Sequence, residues 1–148
     1  MKKLKLISIL SLLFVLNVAS MCSDDDDTST QVSNPTEIAS TLADGQWIVT
    51  LYKENDVVQT SNYSGYNFTF AADGALSATN GSTTQSGDWS TYTDSGYTKL
   101  DMMFTALDGP FEEISEDWRV ISRTTTKIEL KHISGGDGST DYLTFEKD

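Results

Sequence analysis

Cys22 is the only thiol in the chain, so no disulfide partner exists for it within the sequence. A lone thiol at the end of a long apolar run has one chemical use that suits its position, covalent attachment, whereas a free exposed thiol in an oxidising compartment would be a liability. His132 is likewise the only histidine. A zinc site needs further His or Cys ligands, so no metal centre is expected from it, and its neighbours Ile128, Leu130 and Ile133 point to packing in a strand. Glu112, Glu113, Glu116 and Asp117 stand between Phe111 and Trp118. Paired carboxylates perform glycoside hydrolysis, but a run this local reads as a solvated acidic loop. Gly135 to Asp141 offers oxygen ligands in a glycine-rich turn, as calcium loops do, yet it lacks the spacing and terminal Glu of an EF-hand; Gly and Asp are also ordinary turn formers. Serines abound without a nucleophile elbow. No catalytic, cofactor-binding or metal-ligating residue is assigned, and an enzyme is not expected.

What delivers Cys22 to its chemistry is the segment before it. Lys2, Lys3 and Lys5 precede an almost unbroken apolar run from Leu6 to Val18, interrupted only by Ser8, Ser11 and Asn17. These are the charged and apolar regions of a secretory signal peptide. A membrane-spanning helix needs about 20 apolar residues, and this run is shorter. Two cleavage points stay open. Cutting after Val18-Ala19-Ser20 fits the small-x-small rule and leaves Cys22 as a free thiol near the new N-terminus. The alternative is a cut before Cys22. Val18-Ala19-Ser20-Met21-Cys22 resembles the bacterial lipobox, although Met21 stands where that pattern usually has Gly, Ala or Ser. The resemblance implies that Cys22 becomes the first mature residue and carries the lipid. The following Ser23-Asp24-Asp25-Asp26-Asp27 resembles the export signal of surface lipoproteins of the Bacteroidota. It implies a protein lipid-anchored in the outer membrane and exposed at the cell surface. Four aspartates also make a self-repelling, solvated linker, which a surface anchor needs.

The chain therefore divides into a signal peptide (1–21), an acidic disordered tether (22–34) with almost nothing to bury, and one folded domain (35–148). Loss of the three signal-peptide lysines leaves seven basic residues against 22 acidic ones, a formal net charge of −15. Such acidity argues against nucleic acid, whose phosphates demand Lys and Arg, and against peripheral contact with anionic lipid. The covalent lipid on Cys22 is then the expected membrane link; a protein partner is not identified.

The elements of the domain follow from local pattern. Asn34-Pro35-Thr36-Glu37 is a helix start, with Asn as cap, Pro at the first position and Glu placed to close a capping box. Ile38 and Leu42 share a face and Gly45 supplies a stop, which predicts one short helix over Pro35 to Ala43. Everything after Gly45 reads as β, punctuated at the short spacing of an all-β barrel or sandwich. Strands are predicted over Trp47 to Lys53, with Trp47, Val49 and Leu51 on one face; over Val57 to Thr60, weakly; at Tyr66, Phe68 and Phe70; and at Leu76 and Ala78, after the Asp73-Gly74 turn. Further strands open at Gly87-Asp88-Trp89, carry Leu100, Met102 and Phe104 inward over Lys99 to Phe104, and form a hairpin of Trp118 to Ser122 with Lys127 to Ile133. Gly109 to Glu116 reads as a loop or a single helical turn, Ser134 to Thr140 as a turn, and Tyr142 to Glu146 as the last strand. About eight strands in a meander close most simply into an up-and-down antiparallel barrel, which leaves no edges; a two-sheet sandwich is the other architecture.

Gly45-Gln46-Trp47 at the head of the first strand resembles the Gly-x-Trp signature of lipocalins. Phe68-Thr69-Phe70-Ala71-Ala72-Asp73-Gly74 and Ser86-Gly87-Asp88-Trp89-Ser90 resemble the small lipocalin-like domains of secreted and lipidated Bacteroidota proteins, over roughly Gly45 to Asp148. The resemblance implies a calycin-like barrel with a basic residue covering the tryptophan, for which Arg119, Arg123 and Lys147 are candidates. An eight-stranded barrel is filled by side chains or holds one small ligand, and Trp47, Tyr66, Phe68, Phe70, Trp89, Met102, Phe104, Trp118 and Phe145 compete for that space. Two functions follow: a surface-anchored lipoprotein whose barrel binds a small hydrophobic ligand, or a structural or interaction lipoprotein whose barrel is filled. No ligand-binding residue is singled out.

Overall fold

The computed structural model describes residues 34–148. The signal segment, Cys22 and the acidic tether as far as Ser33 lie outside the described residues. The described chain folds as helix α1 (Pro35–Leu42), strands β1 (Trp47–Glu54), β2 (Val57–Val58), β3 (Asn67–Phe70), β4 (Ala75–Thr79), β5 (Thr84–Asp94) and β6 (Tyr97–Phe104), a one-turn helix α2 (Pro110–Glu113), and strands β7 (Asp117–Arg123), β8 (Lys127–Ile133) and β9 (Thr140–Lys147). The strands pair in the order β1-β3-β4-β5-β6-β7-β8-β9, and β1 then pairs with β9 from Trp47↔Lys147 to Lys53↔Tyr142. Eight antiparallel strands thus close into a barrel, as their alternating pattern predicts. The two-residue β2 merely extends the end of β1, at Lys53↔Val58. The sandwich is excluded by the β1–β9 seam.

Both ends of the barrel are stoppered. Asn34 caps α1, its side chain accepting from the Glu37 amide at 3.0 Å. The Glu37 carboxylate pairs with Arg123 at 3.4 Å, across the barrel end, where the sequence had suggested a capping box. Ile38 and Leu42 are fully buried, and the helix is tied down from three sides. Thr91 Oγ1 donates to the Pro35 carbonyl, Arg123 to Thr41 Oγ1, and the Trp47 indole to the Leu42 carbonyl, each at 2.9 Å. At the other end Tyr63, on the 3-10 turn Thr60–Tyr63, and Phe111 and Ile114, in and after α2, are buried; the Tyr63 hydroxyl donates to the Pro110 carbonyl at 2.6 Å.

Several local expectations need correction. Leu51 does not share a face with Trp47 and Val49. A register shift between Val49 and Leu51 breaks the two-residue period, so Tyr52 turns inward, 1% exposed, and Leu51 does not. Gly87 does not open a strand but lies inside β5, which begins at Thr84. A Cβ there would sit 2.2 Å from the Met103 carbonyl oxygen, so glycine is what lets β5 and β6 approach. Tyr66 precedes β3 and is only half-buried, packing on Phe111 at 5.0 Å. Beyond Val58 the weak second strand becomes the 3-10 turn.

Candidate functional site

The barrel interior is the first place to look for a binding site. Trp47, Phe68, Phe70, Met102, Trp118 and Phe145 are at most 1% exposed. Phe68 is the hub: its ring lies 5.2 Å from Phe145, 6.1 Å from Phe111, 6.2 Å from Phe104 and 6.5 Å from Tyr63. Phe70 continues the stack in edge contact with Phe145 and Trp89. These are the separations at which aromatic pairs attract, some edge-to-face and some tilted, and they fill the axis with the protein's own rings. All three tryptophans are structural. Each indole N–H donates to a backbone carbonyl: Trp47 to Leu42, Trp89 to Ala71 and Trp118 to Ile114. Of the three basic candidates for covering Trp47, it is Lys147 whose ammonium lies 5.8 Å from the ring. Gly45, at φ +99°, leaves room for that side chain to pass, and Asp44 fixes the ammonium at 2.7 Å.

The acidic cluster around α2 splits in two. Glu113 turns toward the end of the barrel, where Oε2 is buried without a hydrogen-bond partner among the described residues. Burial first, then Glu54 and Glu112, raise its pKa above the ordinary carboxylate range. Burial likewise pushes the Tyr52 and Tyr63 hydroxyls upward, keeping them neutral. Glu116 and Asp117 turn the other way, toward His132. The three offer ligand atoms within 4.8 Å of one another, with His132 Nε2 3.8 Å from Glu116 and 3.7 Å from Asp117. Sequence separation hid this trio. However, Lys99 already holds the Asp117 carboxylate at 2.7 Å and the imidazole rests on Trp118 at 5.9 Å, so the cluster carries its own counter-ion. In the glycine-rich turn, Asp137 accepts from the Ser139 amide at 2.9 Å, which lowers its pKa, and Asp141 accepts from the Asn55 amide at 3.1 Å. Both aspartates are used to shape turns.

A second grouping appears only when the strands are laid side by side. The register sets Tyr92 opposite Lys99, Lys99 opposite Arg119, Arg119 opposite Lys131, Lys131 opposite Tyr142, and Tyr142 opposite Lys53. One row around the barrel's outside therefore carries four of the seven basic residues left in the domain. Five of those seven have a carboxylate partner: Lys53 with Asp56, Lys99 with Asp117, Arg123 with Glu37, Lys127 with Glu129 and Lys147 with Asp44. Arg119 and Lys131, directly opposite one another, have none among the described residues. Arg119 instead lays its guanidinium on the Tyr97 ring at 3.3 Å. Together with Lys99, His132, Ile133 and Asp94 they line a surface cleft of about 330 Å³.

No protein-family model matches the sequence, and no curated protein resembles it closely enough to indicate a family. Among solved structures, a DUF4847 family protein from Bacteroides vulgatus is similar, with a TM-score of 0.51 and 16% sequence identity over 75% of this chain and 97% of that one. At that identity the likeness concerns the fold alone, and it agrees with a small closed barrel.

Proposed function

We propose that this chain is a lipid-anchored surface protein that meets its partners with the outside of its barrel. The observation that carries the reading is the aromatic packing along the barrel axis. With Phe68 touching four other rings and both ends stoppered, the space in which a lipocalin would seat a small hydrophobic ligand is occupied. Of the two functions open from the sequence, this favours the filled interaction lipoprotein. Kinship with lipocalin-like domains draws support from Lys147 over Trp47 at the head of β1. The anchor rests on Cys22, the apolar run before it and the aspartates after it, with the outer membrane surface as the location. Replacing Cys22 by Ser and following lipid labelling, membrane fractionation and protease access on intact cells tests it. Loss of label and release from the membrane are expected; unchanged retention overturns the anchor.

A further inference from the structure

Like charges placed directly opposite on neighbouring strands repel, and adjacent strands lie about 4.8 Å apart. Arg119 and Lys131 stand in this relation at Arg119↔Lys131, on a domain with 18 acidic residues that supplies a carboxylate to each of its other basic residues. Asp94 and the Asp117 already paired with Lys99 line the same cleft, so with Lys99, Arg119 and Lys131 it keeps one net positive charge within a strongly negative surround. The arrangement of Arg119 sharpens its chemistry. With one face stacked on Tyr97 at 3.3 Å, the guanidinium is held in place while its N–H edge stays available for the two parallel hydrogen bonds that a carboxylate accepts. Apolar side chains border the cations: Ile133 in the cleft and Ile121 two residues along β7 from Arg119 are 56% and 38% exposed.

We infer that this cleft on the outer face of β6, β7 and β8 binds a short acidic peptide segment of a partner protein, with one carboxylate on Arg119, a second on Lys131, and apolar side chains against Ile121 and Ile133. Charge complementarity selects an anion. The net charge of the whole domain limits its length, because a long polyanion such as a nucleic acid or an acidic polysaccharide would meet repulsion on either side of the row. The exposed isoleucines beside the cations favour a peptide over a purely polar anion. The inference rests on the exterior reading of function proposed above and assigns that exterior a surface and a partner chemistry.

The test uses the full chain in nonionic detergent and a short fluorescent peptide of alternating glutamate and leucine, followed by anisotropy. Because lipid on Cys22 is not required for the measurement, the anchor and the cleft can fail separately. Binding is expected at low salt and to weaken as salt screens the charges. Arg119→Ala and Lys131→Ala are each expected to weaken it about tenfold, the scale of a lost charge-assisted hydrogen bond. Lys127→Ala, at a basic residue outside the cleft, leaves it unchanged. Arg119→Lys keeps the charge but loses the fork and the stacking, so it is expected to bind nearly as poorly as Arg119→Ala; equal binding by Arg119→Lys and wild type overturns the bidentate assignment. Triphosphate and an oligouronate serve as competitors. Stronger binding of either than of the peptide overturns the peptide assignment, and no peptide binding at low salt, or equal binding by the Arg119→Ala variant, overturns the site.

Discussion

Phe68→Ala tests whether the barrel is filled by its own side chains. Phe68 is fully buried and contacts Tyr63 and Phe111 from the stopper at one end and Phe104 and Phe145 from the barrel wall. Removing a buried phenylalanine typically costs about 3–5 kcal/mol, the larger values where neighbours cannot collapse into the space. Here the neighbours are rings held by a closed barrel, so about 4 kcal/mol is expected. A domain of this size has a total stability of about 5–15 kcal/mol, so the variant stays folded at room temperature but melts about 15 °C lower. The new cavity is lined by apolar rings, and such cavities stay dry and accept small aromatic molecules. A ligand that binds only the folded state, at about a hundredfold excess over its dissociation constant, restores about 2.7 kcal/mol. Urea denaturation with and without a small aromatic compound reads both effects: a large loss that the compound partly rescues in Phe68→Ala, and no shift in wild type. A loss below about 1 kcal/mol, or equal stabilisation of the wild type by the compound, would refute the filled barrel and restore the apolar-ligand reading.

Two further outcomes follow from the packing and the charges. Gly87→Ala drives a Cβ into the Met103 carbonyl, at 2.2 Å, where only backbone can yield, whereas a Cβ at Gly135 meets nothing within 4 Å. Gly87→Ala is therefore expected to cost about 3 kcal/mol and Gly135→Ala to be neutral or slightly stabilising, in parallel urea titrations; equal behaviour of the two would contradict the close β5–β6 approach. Glu113 has its pKa raised by burial, Glu54 and Glu112, so its protonated form is favoured in the folded state. Its contribution is fully present below the ordinary value of 4.5 and is lost as pH rises through the raised one. Glu113→Gln, which carries no charge, is expected to gain up to about 1 kcal/mol over wild type at neutral pH and nothing in acid; a gain independent of pH would assign the effect to packing instead.

Much of the architecture was legible in the residues themselves. The Asn34-Pro35 helix start, the Phe68 and Phe70 alternation, the Lys99 to Phe104 strand and the hairpin of β7 with β8 are all where their local patterns put them, because capping, turn chemistry and a two-residue period act over a few residues. The limits have the same origin. A one-residue irregularity after Val49 reverses the facing of everything beyond it, exchanging Leu51 for Tyr52 in the core, and nothing in the composition of Trp47 to Lys53 announces it. The role of Gly87 also depends on a strand that arrives later in the chain.

The sequence by itself determined that the chain has a single thiol, the acidity of the domain, the presence of one short helix and the number of strands that a closed barrel needs. Only the tertiary structure decided that the axis is filled, that Lys147 is the residue over Trp47, that His132 meets Glu116 and Asp117, and that Arg119 and Lys131 face each other without a carboxylate partner among the described residues. The physical reason is distance along the chain. Patterns of capping and alternation are local, whereas the register of β6, β7 and β8, set by closure of the barrel, brings together side chains that share no neighbourhood in sequence.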